Sequence, residues 1–139
     1  MKLSRTVAYA VRATLQLAQA NSGAPVPCSR LAAEGHMPER FLLQILRNLV
    51  THGILHSTRG VDGGYSLERK PDDISLLDLI EAIDGPLIAM LPDPENGQRA
   101  TTETRLREAL DQVNVSMRRQ LQAVRISDLL SSQPLAKMA

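Results

Sequence analysis

Aromatic side chains are almost missing: Tyr9, Phe41 and Tyr65 stand alone among 139 residues, with no tryptophan. A core without rings must be aliphatic, which suits packed helices better than a β-sandwich. Cysteine is as scarce. Cys28 is the single one, which excludes an internal disulfide and any all-cysteine metal site within one chain. No apolar run approaches the roughly 18 residues that a membrane helix needs. The start, Met1-Lys2-Leu3-Ser4-Arg5, enters a helical pattern directly, without the apolar stretch and cleavage site of a secretion signal. The expectation is a cytoplasmic protein that makes no use of a membrane.

Net charge is also close to nil, at +1, but it is unevenly placed. Residues 1–70 hold nine Lys/Arg against four Asp/Glu, 71–101 one against seven, and 102–139 six against four. A basic N-terminal half suits a polyanionic partner, and the acidic middle would be repelled from one. Catalytic apparatus is absent from the pattern. There is no nucleophile–base pair and no metal-ligand cluster, and the glycines at 60, 63 and 64 follow a strand without opening a helix, so they form no phosphate loop. An enzyme is not expected.

What is present is helical punctuation. Leu3, Val7, Ala10, Val11, Leu15 and Ala18 fall on one face of a helix over 3–20, with Thr14 the one polar residue on the stripe. A short helix over 28–34 turns Leu31 and Ala32 inward, and Gly35-His36-Met37 makes a tight turn. Pro38 then stands at the first position of a helix over 38–51, where proline is preorganised. Two rows of that helix, Phe41/Ile45/Leu49 and Leu42/Leu46/Val50, are expected to face inward, and Gly53 stops it. Residues 54–58 and 64–68 alternate as a β-hairpin around Arg59-Gly60-Val61-Asp62-Gly63. Ser75 and Asp78 have capping-box spacing for a helix ending at Asp84. After the turn-rich stretch 88–101, a long helix runs from Thr102 to about Arg125. Its apolar positions Leu106, Leu110, Val113, Met117, Leu121 and Val124 form a narrow near-heptad seam, the stripe of one helix packing along another. A short turn over Ser127–Leu130 and a tail follow.

Two short helices joined by a tight turn and followed by a glycine-tipped hairpin make a winged helix-turn-helix. The fold class is mainly α with a small β-hairpin wing, followed by a long C-terminal dimerisation helix. The second helix offers Arg40, Gln44, Arg47 and Asn48, side chains that donate to guanine and adenine edges or to phosphates. Any surface helix also needs a polar face, so the helix alone leaves both readings open. The hairpin adds Arg59 beside Gly60 on a loop of little bulk, able to approach a phosphate backbone or enter a minor groove. Tyr65 is expected to pack the wing onto the body.

The stretch Leu49-Val50-Thr51-His52-Gly53-Ile54-Leu55-His56-Ser57-Thr58-Arg59-Gly60-Val61-Asp62-Gly63-Gly64-Tyr65-Ser66-Leu67 resembles the signature of the Rrf-type family of bacterial regulators, the IscR, NsrR and CymR group. Met1-Lys2-Leu3-Ser4 with Tyr9-Ala10-Val11-Arg12-Ala13 is similar to that family's first helix, and Ile74-Ser75-Leu76-Leu77-Asp78-Leu79-Ile80 to its helix after the wing. The long helix and Ile126-Ser127-Asp128-Leu129-Leu130 are similar to its dimerisation region. The resemblance implies a homodimer that presents two recognition helices to a pseudo-palindromic operator on double-stranded DNA. Carried over, the DNA contacts are Lys2, Ser4, Pro38, Arg40, Phe41, Gln44, Arg47, Asn48, Arg59 and Gly60. The implied layout is a DNA-binding domain over 1–86, a linker over 87–101, dimerisation helices over 102–130 and a tail over 131–139.

Many relatives hold an iron–sulfur cluster through three cysteines between the post-wing helix and the long helix. Here residues 86–99 contain none, and Ala8 and Arg12 stand where a partner's non-cysteine ligand is expected. No cluster and no other cofactor is therefore expected. His36, His52 and His56 do not make a metal pair, because Gly53 breaks helical spacing between the last two. Cys28 remains as a candidate redox thiol: a helix N-terminus lowers a thiol's pKa, and Arg30 would add to that. Packing as a small apolar residue is the plainer role. The reading is a cluster-free dimeric repressor, with an unidentified small-molecule effector bound between body and long helices. A protein–protein adaptor and a thiol sensor working through Cys28 stay open beside it.

Overall fold

The computed structural model describes residues 2–20, 23–92 and 101–131. Six helices and a hairpin follow one another: α1 (Arg5–Ala20), α2 (Cys28–Gly35), α3 (Glu39–Thr51), β1 (Leu55–Thr58), β2 (Gly64–Leu67), α4 (Leu76–Asp84), α5 (Thr101–Ala123) and α6 (Ile126–Leu130), with one 3-10 turn at Pro71–Asp73 before α4. No helix among the described residues is long and apolar enough to cross a membrane.

Each boundary has a local cause. Ser4 caps α1, its hydroxyl accepting from the Val7 amide at 3.1 Å, so α1 starts later than the stripe suggested and Leu3 is left exposed. Thr14 is fully buried on the apolar stripe and stays satisfied by donating to the Ala10 carbonyl at 2.7 Å. His36 ends α2 in the left-handed region (φ 54°), and the Met37 amide reaches back to the Ala32 carbonyl at 2.9 Å. Pro38 is not the first helical residue: it is extended (ψ 123°) and caps α3, because its missing amide hydrogen is needed by no turn there. Gly53, at φ 74°, stops α3 while the Ile54 amide bonds the Leu49 carbonyl at 2.9 Å. Ser75 and Asp78 complete the capping box of α4, both bonds at 3.0 Å.

The core is one aliphatic cluster. It joins Ala10, Ala13 and Leu17 of α1, Leu31 of α2, Leu42, Ile45, Leu46 and Leu49 of α3, Ile54 and Leu55 at the wing base, Leu79 and Ala82 of α4, and Ile126 of α6. One inward placement on α3 does not hold. Phe41 is 68% exposed, lying about a quarter-turn off the Leu42–Ile45–Leu46–Leu49 stripe, while Val50 on the opposite flank is half-buried. Val124 lies just beyond α5, which ends at Ala123. Its carbonyl accepts from Leu76 at 2.8 Å and the Ile126 amide bonds Ile74 at 2.9 Å, so the chain after the long helix is laced back onto the entrance of α4.

Candidate nucleic-acid interface

α1, α2 and the wing hold α3 in place. Arg12 donates to the Gly35 carbonyl at 2.9 Å and Gln16 to the Leu31 carbonyl at 3.2 Å, tying α1 to the second helix. With Leu42, Ile45, Leu46 and Leu49 buried, the helix must turn Arg40, Gln44, Arg47 and Thr51 outward. Phe41 flanks that outward face instead of the core. An exposed ring in this place can contact a thymine methyl, an apolar element of base recognition. Gln44 is bonded to Asn48 one turn on, at 3.2 Å, which preorients both amides along the helix.

The wing is set beside α3 with a fixed register. Leu55 pairs with Leu67, His56 with Ser66, Ser57 with Tyr65 and Thr58 with Gly64. Val26 and Tyr65 exchange two backbone bonds of 2.8 Å each, an isolated antiparallel bridge that ties the chain before α2 to the wing. Tyr65 packs against the core, as the sequence leads one to expect. The adjacent glycines are required by this closeness. A Cβ at Gly64 would run into the carbonyl of Val26 and stand 2.7 Å from the Pro27 nitrogen; one at Gly63 would strike the Thr58 carbonyl. Gly60, at φ 113°, has open space around it and serves the turn alone.

Arg59 leaves the exposed end of β1, and a cleft of about 630 Å³ separates it from the recognition helix. Arg47, Val50, Thr51, Ser57, Thr58 and Tyr65 line this cleft. It has a guanidinium on either side and hydroxyls between, the chemistry of a channel for a phosphate backbone. Lys2 is exposed near the start of α1. Ser4 is occupied otherwise: besides capping α1, its hydroxyl donates to the Asp84 carboxylate at 3.2 Å. A carboxylate so near disfavours a phosphate, which weighs against the expected DNA contact of Ser4.

Cys28 opens α2 and is part-buried there. Burial and the nearby Glu39 carboxylate push its pKa up, against the expected lowering, and Sγ points at the Glu39 carbonyl at 3.8 Å. Arg30 pairs with Glu34 at 3.0 Å, not with the thiol. The histidines are apart in their bonding: His52 meets the Asn48 carbonyl at 2.8 Å and His56 the Glu68 carboxylate at 3.2 Å. Among the described residues no three His, Cys, Asp or Glu side chains converge on a metal position. Arg12, where a partner's ligand is expected in relatives, lies 5.6 Å from the Tyr9 ring centre and offers only donors.

The seam on α5 is open. Val113 is 55% exposed and Leu106 47%, and Leu110, Met117 and Leu121 are half-buried. A shallow hollow of about 290 Å³ lined by Val113, Ser116, Met117, Gln120 and Leu121 runs along it. Sequence reasoning missed the inner face of the same helix. Asn114, the sole buried residue of α5, bonds both the amide and the carbonyl of Ala89, at 2.8 and 2.9 Å. Arg118 grips Glu81 of α4 with two bonds of 2.6 and 3.1 Å. A polar residue recurring every fourth position beside an apolar seam was the available signal.

A family model described as Rrf2, iron-dependent transcriptional regulator, matches residues 3–132. Two Mycobacterium tuberculosis proteins named as HTH-type transcriptional regulators are 46% identical over 90 residues, 65% of this chain and 56% of their own length; the chain thus spans about half of these curated relatives. The HTH-type transcriptional regulator CymR of Bacillus subtilis is 30% identical over 115 residues, 81% of this chain and 83% of that protein. Among solved structures, CymR of B. subtilis, the global cysteine regulator, superposes with a TM-score of 0.69 at 28% identity, covering 96% of this chain and 99% of that one. IscR of T. potens superposes at 0.71 with 27% identity, covering 99% and 93%.

Proposed function

Since this chain belongs to the Rrf2 family of DNA-binding transcriptional regulators and is no enzyme, we propose that it is a cluster-free homodimer that represses by occupying a pseudo-palindromic operator. The observation that carries the reading is the pairing of α3 with the wing. Arg40, Gln44, Arg47 and Asn48 are presented for base edges, with Phe41 beside them, while Arg59 faces the backbone across the cleft, with Gly60 next to it in the chain at the turn of the wing. Pro38, which caps α3, and exposed Lys2 ahead of α1 are the further proposed contacts.

Dimerisation through α5 is supported by its uncovered apolar seam, Leu106 to Leu121, on a helix whose adjoining flank is held by polar contacts to its own chain. The working division places DNA contact in 1–86 and self-association in 102–130, with α6 returning to the body through buried Ile126.

The family's iron does not fit the donors of this chain. Iron–sulfur clusters need thiolates, usually four, and the one thiol lies at the start of α2, raised in pKa and turned towards the Glu39 carbonyl. The stretch 86–99 has no cysteine. DNA binding is accordingly independent of a cluster, and a preformed recognition surface without such a co-ligand supports repression by occupancy.

Filter binding of purified protein across a salt series, with sedimentation and iron analysis of the same sample, tests the reading. Expected are a dimer, no stoichiometric iron, and log affinity falling by about 0.9 per phosphate neutralised for each log unit of salt. Failure to bind any duplex would replace this reading with that of a protein–protein adaptor. Stoichiometric iron would refute the cluster-free part alone.

A further inference from the structure

α5 is a long helix whose C-terminal end and one polar flank are fastened to its own chain. At its C-terminal end the backbone bonds of Val124 and Ile126 to the start of α4 form a pivot. Towards the other end no apolar residue of α5 is fully buried, and the seam residues Leu106 and Leu110 lie N-terminal to Asn114. Between pivot and tip stand two polar clamps. Arg118 holds Glu81, whose Oε2 also accepts the Leu87 amide at 3.0 Å, and Asn114 closes on both polar groups of Ala89. The first clamp ties α5 to α4, and the second ties it to the chain leaving α4.

We propose that Glu81, Arg118 and Asn114 are positioning residues that set the angle of α5 on the DNA-binding body, and so the separation of the two recognition helices in the dimer. The proposal rests on the dimeric reading above. A 23-residue helix is about 34 Å long. A tilt of roughly 10° at the pivot therefore moves its far end by ~6 Å, nearly two base-pair steps. Half-sites lie about one helical turn apart or a multiple of it, so an error of that size takes the second recognition helix out of register.

Hydrogen-bonded pairs suit this task better than apolar contacts. An amide that satisfies both backbone groups of one residue, and a two-bond arginine–carboxylate pair, fix direction as well as distance. Apolar surfaces of similar area would let the helix slide. Three polar side chains thus supply on this face what the apolar seam supplies on the other.

The test uses a duplex selected from a random-sequence pool by the wild-type protein. It is compared with the same duplex carrying one scrambled half-site, and with versions carrying one to three base pairs added or removed between half-sites. Arg118→Ala and Asn114→Ala are each expected to weaken the selected duplex by about tenfold through lost simultaneous engagement. Affinity for the half-scrambled duplex stays within about twofold, which also shows that the body is folded, and tolerance across the spacing series broadens. Exchanging the pair, Glu81→Arg with Arg118→Glu, recovers part of the spacing preference. Equal losses on the whole and half-scrambled duplexes, or an unchanged spacing profile, would overturn the clamp. A wild-type protein that selects a single half-site would overturn the dimeric reading first, and is recognised before any variant is made.

Discussion

Substituting alanine at Gly64 and, separately, at Gly60 distinguishes crowding from backbone preference at the wing. Both glycines have positive φ, 151° and 113°, so each alanine meets a conformation that L residues avoid. That alone costs about 1–3 kcal/mol. At Gly60 nothing lies within 4 Å of the new methyl, so the cost ends there. At Gly64 the methyl collides with the Val26 carbonyl and comes within 2.7 Å of the Pro27 nitrogen, atoms of rigid backbone. Relief requires β2 to withdraw from Val26, which breaks the two 2.8 Å bonds between Val26 and Tyr65. At roughly 1 kcal/mol net for each bond, Gly64→Ala should exceed Gly60→Ala by about 2 kcal/mol. In urea that difference moves the unfolding midpoint by about 1 M for a protein of this size. The displaced wing should also carry Arg59 away from the α3 cleft, so operator affinity falls more at 64 than at 60. Equal midpoint shifts for the two variants would refute the argument that the contact with Val26 dictates glycine there.

Arg59→Ala should weaken DNA binding and reduce the salt slope by about 0.9, the contribution of one phosphate; an unchanged slope refutes the backbone role of the wing. Gln44→Ala, which also frees Asn48, should lower discrimination between the selected sequence and its base-substituted versions by about 1–3 kcal/mol with little change in non-specific binding, read by competition with both. Cys28 should alkylate more slowly than a free thiol at about pH 8, with a rate still climbing beyond pH 9, because burial and Glu39 keep the thiolate scarce. A fast reaction that levels off below about pH 8 would restore it as a sensing thiol.

The parts of the fold legible in the sequence are those where one residue type has one local answer. Gly53 after an amphipathic run, Ser75 three residues before Asp78, and a glycine-tipped alternation each specify their geometry almost without neighbours. Phe41 shows where that stops. Helical spacing puts it on the margin of the stripe, and four aliphatic residues on α3 already fill the core, so hydrophobicity alone could not decide its side. Cys28 fails for a related reason. A helix N-terminus favours a thiolate, but partial burial and the Glu39 carboxylate come from α3, through a contact that the local sequence does not contain. Ser4, too, has the composition of a phosphate ligand until Asp84, eighty positions on, is seen to accept its hydrogen bond.

The glycine-tipped hairpin illustrates a division of labour with a functional consequence. Its specificity as a motif comes from intramolecular crowding: Gly63 lies against Thr58, and Gly64 against the strand-like segment ahead of α2. Those constraints hold for any protein that folds its wing onto the body in this way, whichever operator it occupies. The residues proposed to choose an operator, Arg40, Gln44, Arg47 and Asn48, lie away from the buried stripe of α3, where core packing does not dictate their identity. Two proteins of this fold can therefore share the wing signature and differ entirely in the DNA they select. Transplanting the outward face of α3 from a relative should transfer sequence preference, while transplanting residues 59–65 should leave it unchanged and alter only affinity and salt response. A wing transplant that carried the preference with it would mean that the hairpin reads bases, and that the α3 face is a solvated surface.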